Sequence, residues 1–246
     1  MIVRPIRTHK ITAKDKDIFK ILDRYVTSFK NNSILAITSK IISICEGSII
    51  STDYANKDKL ITDNASHYLE RGKSKYNVML TITDDNLVPS AGIDESNGFG
   101  NYILRPKNPQ KTANSIREYL RKRFKRKHVG VLITDSRTTP LRWGTTGMMI
   151  AHSGFEALND FIGKPDLFGR KLIMTKVGIA DGLSASAVLV MGEGNEQQPL
   201  VVIENTPFVK FQERNPTSKE LRDLRIAIKD DLYAPILTKA DWKKKK

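Results

Sequence analysis

A single cysteine, Cys45, stands in a chain of 246 residues, so no internal disulfide can form, and without a CxxC pair there is no zinc framework. A buried, inert thiol is expected. No apolar run approaches the roughly 18 residues needed to span a bilayer, and the opening MIVRPIRTHK lacks the apolar stretch of about 7–15 residues that a secretory signal carries. These absences predict a cytoplasmic protein with no membrane partner. Histidine is scarce, and His9, His67, His128 and His152 are too scattered to pair as metal ligands at helical spacing. Structural or surface roles are their default. The chain shows no internal repeat and no low-complexity linker, which excludes repeat arrays and collagen-like assemblies.

Acids are also in the minority. Against 41 Lys and Arg there are 27 Asp and Glu, a formal charge of +14, and the last four residues are all Lys. Such a balance suits nucleic acid, but it suits phosphorylated or polycarboxylate small molecules equally well. The densest basic run, Arg121 to His128, contains Phe124, which continues the apolar stripe of Ala113, Ile116 and Leu120. The run therefore reads as the solvated C-terminal end of a helix, where cations are favoured. Nucleic acid becomes the disfavoured partner, kept as the alternative of a basic nucleic-acid-binding protein without enzymatic activity.

What the chain does have is enough apolar content, 39% of residues, for a substantial core. Ile18, Leu22, Tyr25, Val26 and Phe29 predict an amphipathic helix within 15–29, and Ser33 to Thr38 a buried strand. A β-rich stretch is expected over Ile41 to Ile50, a helix over Asp58 to Leu69, an exposed loop at 71–75, and strands at 77–82 and 87–90. Further on, the pattern gives a helix from Asn108 to Lys127, a buried strand at 129–135 and a helix over 177–191. A strand at 200–203 and a last helix from Ser218 to Ile228, capped by Thr217 with Glu220, complete it. Residues 144–158 fit no single element. The mixture implies an α+β (mixed α/β) class.

Three segments gather acids and small polar residues at element ends: Asp94-Glu95-Ser96-Asn97, Asp135-Ser136-Arg137-Thr138-Thr139 and Gly192-Glu193-Gly194. Carboxylates brought from separate loops suit a hard divalent cation, and Mg²⁺ characteristically takes one or two of them together with substrate phosphates. Asp94, Asp135 and Glu193 are thus candidate metal ligands, although acids at such places more commonly just cap turns. Thr38-Ser39-Lys40 offers two hydroxyls and a cation behind a strand, a possible phosphate contact. The known phosphate loops are missing: Gly72-Lys73-Ser74 has His67 where a Walker loop needs glycine, and Gly98-Phe99-Gly100 meets Ile103 in place of a third glycine.

Five segments in fixed order carry a resemblance: AITSKIIS (36–43), SAGIDESNGFG (90–100), VGVLITDSRTTPLRWGTTG (129–147), GKPDLFGRKL (163–172) and IADGLSASAVLVMGEG (179–194). Together the chain resembles the coenzyme F-420 γ-glutamyl ligases, and most of all the branch described as folate-metabolism γ-glutamate ligases, over about residues 8–204. The resemblance implies two interlocked subdomains forming one catalytic unit over 1–235, with 236–246 a basic tail expected to fray beyond Pro235. It also implies a homodimer. The activity implied is GTP-dependent joining of L-glutamate to a carboxylate acceptor, folate-like or a coenzyme F-420 precursor, through an acyl phosphate, with Mg or Mn and room for a monovalent cation. Residue by residue, Asp94, Asp135, Ser136 and Glu193 match metal positions. Thr8, His9, Lys10, Ile11, Ser39, Lys40, Asn97, Met191, Gly192 and Gly194 match nucleotide-contacting segments, and Asp94, Asp135 and Lys40 would carry the catalysis. Arg137, Arg142 and Arg170 are candidates for carboxylate recognition. One departure is Ile44, where many coenzyme F-420 ligases carry a phosphate-facing Lys.

Overall fold

The computed structural model describes residues 1–72 and 75–244. Lys73 and Ser74 of the expected 71–75 loop, and the last two lysines, lie outside the described residues. In chain order the elements begin with β1 (Ile2–Ile6), α1 (Ile18–Tyr25), β2 (Ser33–Thr38), α2 (Ser39–Cys45), β3 (Ile49–Ser51) and α3 (Lys57–Asn64). β4 (His67–Tyr68), β5 (Leu80–Thr83), β6 (Asn86–Pro89), β7 (Asn101–Ile103), α4 (Pro109–Phe124), β8 (Val129–Thr138) and β9 (Thr145–Ser153) follow. The chain continues with β10 (Leu158–Asp160), β11 (Lys176–Gly178), α5 (Ile179–Met191) and β12 (Leu200–Glu204), then α6 (Ser218–Arg222), α7 (Ala234–Leu237) and β13 (Lys243–Lys244).

A five-stranded mixed sheet in the order β1-β12-β2-β8-β9 forms the main body, with β2 and β8 parallel and the other pairs antiparallel. Its central strands are apolar on both faces, because helices cover both. Leu35, Ile37, Val131 and Ile133 point towards Ile21 and Leu22 of α1, Ile41 and Ile42 of α2, and Ile116 and Leu120 of α4. Alternate positions Ile34, Ala36 and Leu132 face Ala180, Leu183 and Ala187 of α5. At about 1.5–3 kcal/mol per fully buried aliphatic side chain, this two-sided burial is the chief stabilising term. The expected α+β class is thus observed. A separate, smaller core of Ile61, Ala65, Met79, Ala91 and Ile93 lies beneath α3 and the four-stranded sheet β13-β4-β5-β6.

The structure corrects the expected β-rich stretch at Ile41–Ile50. Residues 39–45 are helix α2, and only 49–51 are strand. Isoleucines favour strands locally, but Ile41, Ile42 and Cys45 lie three and four apart and fill the core as one helical face, so packing overrides the weak local preference. The unassigned 144–158 region contains β9, whose register with β8 shifts between Ile133 and Thr134. The helix expected from Ser218 to Ile228 is shorter, ending at Arg222, and is followed by α7, although its reciprocal Thr217–Glu220 cap forms as read. The tail does not fray through its described part. Residues 234–237 are helical, and Lys243–Lys244 pair with His67 and Tyr68 as an edge strand. The Trp242 indole N–H donates to the Leu237 carbonyl, 2.7 Å, and its ring meets His67 edge-on. Tail residues with an apolar aromatic anchor gain enough contact to order.

The basic run behaves as a helix end. Lys125 adopts the left-handed conformation after α4, Arg123 donates to the carbonyls of Leu22 and Asp23, and Arg126 donates to that of Phe29. These cations satisfy carbonyls at the end of α1 and just beyond it.

Candidate active site

Asp94 is delivered by a tight turn. The backbone N–H of Ala91 donates to the Thr81 hydroxyl, 3.0 Å, and Asp94 exchanges both backbone hydrogen bonds with Ile103, so its side chain leaves the rim of the small core. Lys40, in the first turn of α2, places Nζ 2.6 Å from one Asp94 oxygen and donates to the Ser96 hydroxyl and carbonyl. The Ser96 N–H donates to the other Asp94 oxygen, 2.8 Å. Burial works against the Asp94 charge, but Lys40 and Ser96 outweigh it and hold its pKa below the usual carboxylate range.

Asp135 sits on β8 where the strand emerges from the core, and its carboxylate accepts the Ser136 N–H, 2.9 Å. The protein packed around it pushes its pKa up to about 6, and the nearby Asp94 charge pushes the same way. Ser136, Arg105 and Lys40 pull in the opposite direction. Two carboxylates thus lie close enough for the charge of one to raise the pKa of the other, Asp94 held below the usual range by Lys40 and Asp135 raised to about 6, which is the kind of perturbed pairing that functional sites display.

The third acid comes from the loop after α5. Helix α5 lies so close to β9 that a methyl group added to Gly147 would stand 2.2 Å from the Ser184 carbonyl oxygen. That approach carries Glu193 to the sheet edge, where Thr145 donates to it at 3.3 Å and the Ser136 hydroxyl lies 3.5 Å away. Asn97 donates to the Gly194 carbonyl, 3.1 Å, and Thr8 donates its N–H to the Gln197 carbonyl, 2.8 Å. The fold thus joins five segments far apart in sequence: Thr8, Lys40, Asp94–Asn97, Asp135–Ser136 and Glu193–Gly194.

The remaining expected residues are placed as follows. His9 is engaged at both ring nitrogens, by the Tyr25 hydroxyl and the Asp15 carboxylate, Ile11 packs against the main core, and Lys10 is exposed. Ser39 and Met191 are buried, and Met191 turns its sulfur towards Thr134. Gly192 reverses the chain with φ +78°. Ile44 lies buried in α2. Arg142 and Arg170 occupy exposed turns. The arginine whose charge acts on Asp135 is Arg105, which sequence reading missed, since it follows β7 as an ordinary basic residue in a loop with no motif around it. Thr145 is likewise unmarked in the sequence reading, and Ser96 is noted there only as a member of the 94–97 cluster, although both lie inside segments that carry the resemblance.

To a divalent cation the donor set would offer a pair of carboxylates, not a cage. Among the described residues no group of three or more His, Cys, Asp or Glu is placed to hold a metal ion. Asp94 and Asp135, with the Ser136 hydroxyl, fit the kind of site in which Mg²⁺ completes its shell with phosphate and water. No helix among the described residues is long and apolar enough to cross a membrane.

The profile of the family described as F420-0:Gamma-glutamyl ligase matches residues 5–205. A protein of Methanococcus maripaludis strain C7 named coenzyme F420:L-glutamate ligase is 39% identical over 213 residues, covering 86% of this chain and 84% of its own. Its namesakes in Methanocaldococcus jannaschii, 37% identical over 73% of this chain and 78% of the relative, and Archaeoglobus fulgidus, 30% identical over 82% and 86%, are similar at comparable extent. The family match spans every acid of the assembled site, and the chain belongs to the F420-0:gamma-glutamyl ligase family.

Proposed function

We propose that this ligase joins the amine of L-glutamate to a carboxylate acceptor, either a coenzyme F-420 precursor or a folate, at the expense of GTP. The observation that carries this reading is the Asp94–Asp135 pair at one end of the main sheet, flanked by Lys40 and by the Asn97–Gly194 contact. A carboxylate does not form an amide directly, because its oxygen is a poor leaving group. The acceptor carboxylate attacks the γ-phosphorus of GTP, GDP departs, and an acyl phosphate results. The glutamate amine then attacks the acyl carbon, phosphate leaves with the bonding electron pair, and the amine loses a proton.

In this scheme the chain supplies position and charge. Asp94, Asp135 and Ser136, with Glu193 beside them, would hold Mg or Mn, and the bound ion would offset the negative charge of the phosphates. Lys40 is close enough to Asp94 to hold that carboxylate in place and to share the charge of an approaching phosphate. Asn97, Gly194 and Thr8 frame the nucleotide side, and a monovalent cation is a further expected ion. A homodimer is part of the same reading: Leu141 and Trp143 at the β8–β9 turn, and Leu167, Phe168, Ile173 and Met174 on the arm between β10 and β11, are more than two-thirds exposed apolar side chains.

The test couples phosphate release from GTP to incorporation of labelled glutamate into F420-0 or folate, with Mg or Mn. Release that requires both acceptor and glutamate, and that falls at least about 100-fold in Asp135→Asn, is the expected result. Incorporation by neither acceptor, or undiminished ligation by the variant, refutes the proposal.

A further inference from the structure

A cleft of about 880 Å³ does not lie over the acids themselves. It opens beside them, between the small core, the inner part of β9 and the C-terminal extension. Ile93 and Met149 line it. Ile93 directly precedes Asp94, and Met149 pairs with Thr134, the residue before Asp135. The cleft thus adjoins the reacting end through its own wall residues.

Arg105 lines the same cleft with its side chain nine-tenths buried. Its Nη1 donates to the Thr83 carbonyl and to Asp84, yet Nε and Nη2 have no hydrogen-bond partner among the described residues. Those two donors form one edge of the guanidinium, the edge that takes a carboxylate side-on through two parallel hydrogen bonds. Leaving such donors buried and unmet is costly, which marks the edge as reserved for a group that arrives later. Asp84 is largely exposed, so this tether yields easily as the guanidinium turns towards a ligand. Gly92 leaves the space the stem occupies: a methyl group there would lie 3.1 Å from Arg105 Cδ. Of the neighbouring cations, Arg105 acts most strongly on the Asp135 carboxylate.

A further part of the wall is made by Leu221, Leu224 and Ile226. They belong to the extension beyond residue 205, where the family match ends. Two anchorages hold that extension in place. Fully buried Arg117 donates to Asn215 and to the Gln212 carbonyl, and Arg225 pairs with Asp85 at 2.9 Å. A wall supplied by a segment outside the shared family region is free to differ between family members while the acids stay the same.

Building on the ligase reading above, we propose that this cleft is the acceptor site, that the free edge of Arg105 anchors an acceptor carboxylate beside Asp135, and that Leu224 and Ile226 of the extension select the acceptor. The full chain is titrated with F420-0 and with folate by calorimetry, alongside GTP. Arg105→Gln should weaken whichever of the two binds at least tenfold while GTP affinity stays within twofold, and Arg105→Lys should recover only part of the loss. Leu224→Trp, which fills the cleft from its extension wall, should weaken the same acceptor or reverse the preference between the two, again sparing GTP. Acceptor affinity unchanged in both Arg105→Gln and Leu224→Trp overturns the assignment, as does failure of both acceptors to bind the wild type. Failure of the wild type to bind GTP strikes the ligase reading instead, which separates the two outcomes.

Discussion

Replacing Asp135 by Asn should make the folded protein more stable while removing its proposed activity. In the unfolded chain the carboxyl titrates near 3.8, and in the folded protein burial raises that to about 6. With each tenfold change in acidity worth about 1.4 kcal/mol, ionised Asp135 works against the fold by about 3 kcal/mol. The sign follows from the raised value: the favourable contribution of the protonated acid is full below about pH 4 and is lost as pH rises through about 6. Asn is neutral throughout and is spared that loss. In urea unfolding followed by circular dichroism, with divalent ions chelated, the variant should gain about 3 kcal/mol near pH 7.5 and about half as much near pH 5, with unchanged dependence on urea. Equal stability at both pH values, or a variant less stable near pH 7.5, would refute the claim that burial of this charge dominates its environment.

His152 has the opposite linkage. Burial against Phe155 pushes its pKa down to about 4, so its share of stability is full above about pH 6.5 and is lost, by about 3 kcal/mol, as pH falls towards 4. The two groups offset one another, and His152→Leu should gain stability on acidification over this window; thermal unfolding curves for variant and wild type that stay parallel count against it. Gly147→Ala drives a methyl group into the Ser184 carbonyl and should cost about 1–3 kcal/mol while also displacing the Glu193 loop. Chemical denaturation and GTP titration check this, and a variant unaltered in both would show that α5 does not set that loop's position.

Much was legible in the sequence because its causes are local. β2 is an unbroken apolar run whose two faces both need cover, the α4 stripe recurs at helical spacing, and the Thr217–Glu220 cap is reciprocal chemistry between two residues three positions apart. The acids stood out because polar loops between apolar runs have few structural reasons to be so dense. Helix α2 was misread because its isoleucines carry a strand preference that only the surrounding layer of α1 and β2 overrides. The ordered tail was missed for a similar reason: Trp242 becomes an anchor only when His67 is beside it.

By itself, then, the sequence determined the class of fold, the central strands and the set of acids, since periodicity and composition act within a few residues. Only tertiary structure decided that Lys40 would pair with Asp94 across 54 positions, that Asp135 would be crowded into a raised pKa, and that Arg105 would keep two donors unmet beside a cleft walled by the extension. Charge, burial and unmet hydrogen bonds depend on which distant atoms arrive as neighbours, and no local pattern encodes that.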